Sequence, residues 1–68
     1  MASYYVNAKA EENGDHEVHV VGCQSMPTAS NRVYLGEYNS GVQAVAAAKI
    51  RYSRSRGCPV CMPDLRPT

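Results

Sequence analysis

Tryptophan and phenylalanine are both missing from this chain, and that absence limits how it can hold itself together. Its bulky apolar inventory is five tyrosines and a modest set of Val, Ile, Leu and Met among many alanines. The 68 residues leave room for one domain, expected over 1–68. A domain of this size buries only about 60% of the surface its unfolded chain exposes, so its core is thin. Small domains of this kind commonly rely on a staple, and a structural metal is one of the standard ones. A structural zinc contributes on the order of 10 kcal/mol of apparent binding energy, as much as the stability of many whole domains.

Long apolar runs are lacking too. No stretch approaches the about 18 apolar residues of a membrane span, which leaves no expectation of a membrane partner. Met1-Ala2-Ser3-Tyr4-Tyr5 shows no basic region followed by an apolar run, so no signal peptide is expected. Three cysteines make an odd number, a poor fit to a closed disulfide framework. Closely spaced thiols in a reducing compartment serve as ligands more often than as bridges, and the expected location is cytoplasmic. Acid is scarce in the second half. Residues 39–68 carry Lys49, Arg51, Arg54, Arg56 and Arg66 against Asp64 alone, net +4, whereas residues 1–38 carry net −3.

What is present reads as a short α+β pattern. Tyr4 to Lys9 is rich in aromatic and β-branched residues and predicts a strand. Glu11-Glu12-Asn13-Gly14-Asp15 contains Asn-Gly, a reversal signal because both residues tolerate positive φ. His16 to Val21 resumes an extended pattern, which makes the first 22 residues a hairpin. Gly22 to Asn31 follows neither period and reads as a loop. Arg32 to Tyr38 alternates again, with Gly36 marking a bulge or a close approach of another backbone. Ser40 and Gln43 form a capping-box pair at the start of an Ala-rich helix. Val42, Val45, Ala46 and Ile50 recur at helical spacing and are expected to cover the sheet. Arg54-Ser55-Arg56-Gly57 reads as a hydrophilic exit, and Pro59, Pro63 and Pro67 keep the tail irregular. The expected architecture is a three-stranded, mostly antiparallel sheet, one helix packed on it, and a C-terminal cysteine knuckle.

Cys58-Pro59-Val60-Cys61 is the strongest chemical signal, because C-x-x-C lets two thiolates in a tight turn face one ion. His19 and Cys23 stand four apart and complete a Cys₃His set, the composition of many structural zinc sites. The expected cofactor is therefore zinc, held by His19, Cys23, Cys58 and Cys61. His16 competes for the imidazole role. It lies three positions from His19, so on a strand the two face opposite ways, and His16 is expected to be an exposed partner of Glu17 or the turn. His16-Glu17-Val18-His19 lacks the i, i+4 helical spacing of a metalloprotease. A redox role for Cys58 would need a helix after it to lower the thiol pKa, and the proline-rich tail offers none. Lys49, Arg51, Arg54 and Arg56 with Tyr52 form a cationic strip that could meet phosphates. Cations near a helix C-terminus are also favoured by the dipole alone.

His19-x3-Cys23, Asn31-Arg32-Val33-Tyr34, Ser40 before the Ala-rich helix, and Cys58-x2-Cys61-Met62-Pro63 occur in an order with a known parallel. Over roughly residues 18–63 it resembles the zinc-binding domain of bacterial Ada-type proteins that repair DNA methylphosphotriesters. The whole chain is also similar to a group of short uncharacterised bacterial proteins with the same His-Glu-Val-His, Tyr-Leu-Gly and Gly-Cys-x-x-Cys landmarks. The first resemblance implies one zinc held by two ligand pairs. In that family the first member of the first pair is the methyl-accepting thiolate, and here that position is His19, which cannot accept an alkyl group in the same way. Pro59 and Val60 also replace the family's basic residues inside the second pair. The expectation is a monomeric, non-enzymatic zinc module that binds protein or nucleic acid and takes no small-molecule substrate. The alternatives are a small thiol-dependent protein, redox or alkyl-accepting, and a metal-free accessory scaffold.

Overall fold

A computed structural model describes residues 1–62; the tail expectation at Pro63 and Pro67 lies outside the described residues. Chain order is β1 (Ala2–Asn7), β2 (His16–Val20), a 3-10 turn (Ala29–Asn31), β3 (Arg32–Tyr38), α1 (Gly41–Arg51) and β4 (Ser55–Gly57). The fold is a small α+β arrangement with one helix and a mixed four-stranded sheet in the order β3-β1-β2-β4. Strand β1 sits between β2 and β3 and is antiparallel to both.

The Asn-Gly signal acts as its chemistry requires. Gly14 takes φ +88° and donates its N–H to the Glu11 carbonyl, while the Asn13 side chain accepts from the Asp15 N–H. That reversal brings β2 back along β1 with Tyr5 opposite His19 and Val6 opposite Val18. The bulge expected near Gly36 is present: Tyr4 pairs with Gly36 but Tyr5 pairs with Tyr34, which leaves Leu35 as the extra residue. Gly36 has φ +121°, a conformation that side-chain-bearing residues rarely adopt.

The sheet gains a strand that local pattern did not announce. Ser55-Arg56-Gly57 pairs in parallel with His16-Glu17-Val18, so the expected hydrophilic exit is an edge strand and the sheet is mixed. Three residues without a β-branched or aromatic side chain carry no strand signal of their own. Pairing with β2 supplies it: the His16 N–H donates to the Arg54 carbonyl and the Cys58 N–H to the Val18 carbonyl. Asp15 ties the edge down, accepting from Arg54 at 3.0 Å and from Arg56 at 3.4 Å.

Helix α1 starts at Ser40, whose hydroxyl accepts from the Gln43 N–H, while the Gln43 side chain reaches back to the Asn39 N–H. Its buried face differs from expectation. Ala44 and Ala48, four apart, are wholly buried and Val45 packs beside them, whereas Val42 is 62% and Ile50 90% exposed. Small alanines let the helix backbone approach the strands closely, and burial of residues 44 and 48 turns residues 42 and 50 outward. The core comprises Tyr4, Val6, Val18, Ala44, Ala48 and Met62, with no side chain larger than tyrosine. None of the described helices is long and apolar enough to cross a membrane.

Candidate metal centre

Sheet alternation decides where the donors face. Val18 points to the helix and is fully buried in the core, so its neighbour His19 points to the opposite face, where it is also fully buried. Beyond Val20 the chain turns, the Cys23 N–H donates to the Val20 carbonyl, and Cys23 comes back toward the end of its own strand. Cys58 follows β4 directly. Its N–H continues the parallel ladder onto Val18, which sets it beside His19 and leaves it wholly buried. A turn closed by the Met62 N–H on the Cys58 carbonyl then presents Cys61.

These elements bring the expected donors together. One ligand atom from each of His19, Cys23, Cys58 and Cys61 lies within 4.8 Å of the other three, and the sulfurs of Cys23 and Cys58 are 3.9 Å apart. All three cysteines are free thiols. The group can hold a metal ion. Its three sulfurs and one nitrogen are soft and borderline donors, ill suited to magnesium or calcium, which take oxygen.

Two further features of the site had no signal in residue spacing. The Ser25 N–H points at the Cys23 sulfur and the Val60 N–H at the Cys58 sulfur, each at 3.4 Å. Backbone donors two residues after a cysteine stabilise negative charge on its sulfur, the form in which a thiol binds metal. Asn7, at the end of β1, is buried, and its side-chain oxygen accepts from His19 Nε2 at 2.9 Å. His19 Nδ1 is buried and has no hydrogen-bond partner among the described residues.

Burial dominates the electrostatics of the group. Burial lowers the His19 pKa, against a smaller upward pull from Glu11, which favours the neutral ring, the form that can ligate. Burial pushes the Cys61 thiol up to about 12; the Val20 backbone opposes this, while Cys23 and Cys58 reinforce it. Three thiolates crowded without a cation would repel one another, and a bound cation reverses that balance.

Other expectations fare differently. His16 is half-buried rather than exposed: its ring stacks on Tyr52 with centroids 3.9 Å apart, and its Nδ1 donates to the Asn7 carbonyl. The cationic strip divides. Lys49 and Arg51 are exposed in the last turn of α1; Arg54 and Arg56 both pair with Asp15, Arg54 while still 64% exposed and Arg56 half-buried. No protein-family model, curated protein or solved structure matches the chain.

Proposed function

We propose that the chain is a zinc-stabilised, non-enzymatic binding module, with His19, Cys23, Cys58 and Cys61 as ligands. The observation that carries this reading is that His19 has a ring nitrogen within 4.8 Å of three sulfurs and a buried Nδ1 without a hydrogen-bond partner. A buried polar atom left without a partner costs about 1–3 kcal/mol, and a cation at the centre of this cluster would satisfy it. A tetrahedral zinc with Zn–S bonds of about 2.3 Å holds its sulfurs about 3.8 Å apart. The 3.9 Å between Cys23 and Cys58 fits that value, and closing the whole set would draw its widest pair in by about 1 Å.

Four protein donors fill a tetrahedral shell and leave no position for a substrate, which favours a structural role over a catalytic one. The two ligand pairs agree with the resemblance to the Ada-type zinc domain. His19 at the methyl-acceptor position and the neutral Pro59 and Val60 argue against repair chemistry. Reduced, metal-ready thiols suit a cytoplasmic setting. The partner reading favours protein over nucleic acid. Arg56 is half-buried against Asp15, and the exposed cations of α1 stand beside outward-facing Val42 and Ile50, an apolar surface unlike a phosphate track.

Elemental analysis and chelation test the metal. Purified protein is expected to carry one equivalent of zinc, and a strong chelator is expected to remove zinc and secondary structure together. A metal-free protein that unfolds cooperatively all the same would support the accessory scaffold instead. Fast alkylation of Cys58 with the fold intact would support the thiol-dependent reading. A low-salt titration with single- and double-stranded DNA is expected to show no saturable binding; binding weakened by Arg51→Ala would move the partner reading to nucleic acid.

A further inference from the structure

We propose that Asn7, on a strand that supplies no ligand, is the positioning residue that makes His19 an Nδ1 ligand. The inference rests on the metal reading above and goes beyond it, because it assigns the ligating atom and the residue that selects it.

A neutral imidazole carries one N–H and one lone pair, so fixing the proton on one nitrogen aims the lone pair of the other. The Nε2 side of His19 meets two acceptors: the Asn7 Oδ1 at 2.9 Å and, farther off, the Glu17 carboxylate at 3.9 Å. Both favour a proton on Nε2. The Nδ1 side meets no hydrogen-bonding group among the described residues, and this is the nitrogen left for the cation. Asn7 also meets the rival histidine. Its backbone carbonyl accepts from His16 Nδ1 at 2.8 Å, while Tyr52 covers the His16 ring at 3.9 Å. Asn7 thus touches both imidazoles, but it is strand alternation that turns His16 to the other face, against Tyr52. Its position is fixed because Asn7 ends β1 opposite Arg32 of β3, one step beyond the Val6–Val18 pair that anchors the core.

Metal-binding histidines generally donate their second N–H to an oxygen, and removing that oxygen typically weakens metal affinity by about 10–100-fold. Asn7→Leu removes the acceptor at similar size. Asn7→Asp keeps an oxygen in place and serves as the conservative rescue.

The test is nitrogen-15 NMR of the His19 ring in the zinc-loaded full chain, together with chelator competition for zinc in the wild type, Asn7→Leu and Asn7→Asp. The expected spectrum shows Nε2 protonated and Nδ1 carrying the metal, a readout that needs no variant to fold. The expected affinities fall by about 10–100-fold in Asn7→Leu and recover most of that loss in Asn7→Asp. Zinc on Nε2, or an Asn7→Leu affinity equal to the wild type, overturns the role of Asn7 while leaving the metal site standing. Zinc absent from the wild-type protein overturns both.

Discussion

The two faces of the sheet are held by different physics. On the helix side, Val6 and Val18 pack against Ala44 and Ala48, an apolar contact of small aliphatic groups that includes Tyr4, with Tyr38 and Tyr52 at its margin. On the other side, His19 and Asn7 are buried and polar, joined to each other and crowded by three sulfurs. The helix side is apolar but thin. The metal side joins β1, β2, the loop after β2 and the segment after β4, regions that a small apolar core would hold together weakly. The comparison teaches that this chain divides the work: the apolar face sets register, and the donor face brings β2, the loop after it and the segment after β4 to one point.

That division can be broken in order of expected effect. Removing zinc should be the most damaging treatment, because binding energy on the order of 10 kcal/mol is then lost and the buried donors are left uncompensated. Circular dichroism during chelation is expected to report loss of the whole fold; retention of a native spectrum would mean that the apolar face suffices. Val18→Ala comes next. Val18 is wholly buried, so trimming it should cost about 2 kcal/mol in denaturant unfolding. Ile50→Ala is its counterpart on the outward side of the helix. At 90% exposure, Ile50 should shift stability by less than about 0.5 kcal/mol, and a cost like that of Val18→Ala would mean that the helix is rotated from the orientation described.

Acid should act on the donor face through His19, against a smaller opposite pull from the Glu17 carboxyl that burial raises. Burial lowers the His19 pKa in the fold, so below the ordinary histidine value of about 6.5 the unfolded chain takes up a proton that the folded chain refuses. Stability is therefore present above about pH 6.5 and lost as pH falls below it. Protonation of thiolates competes with the metal in the same direction. Denaturation midpoints at pH 7.5, 6.5 and 5.5 are expected to fall in that order for the wild type. A flat profile would contradict a neutral, ligating His19.

Much of this was readable from the residues, and the exceptions share a cause. Asn13-Gly14, the alternation of β1 to β3 and the Ser40 cap are local signals, legible because neighbouring residues decide them. The two pairs, His19 with Cys23 and Cys58 with Cys61, were legible because spacing within each is local; that they meet is visible only in the fold. Strand β4 was not, since Ser55-Arg56-Gly57 becomes a strand only through β2 and Asp15. Nor was the buried face of α1: Val42 and Ile50 look like the core stripe, but close approach to the sheet favours Ala44 and Ala48. Asn7 and the N–H groups of Ser25 and Val60 act across the fold or through the backbone, and neither leaves a mark in composition.

The central claim is that one cation joins His19 to Cys23, Cys58 and Cys61. X-ray absorption at the zinc edge of the purified protein tests it most directly. The account predicts a four-coordinate shell of three sulfurs at about 2.3 Å and one nitrogen at about 2.0 Å. A shell with fewer sulfurs completed by oxygen, or no bound zinc at all, would contradict it.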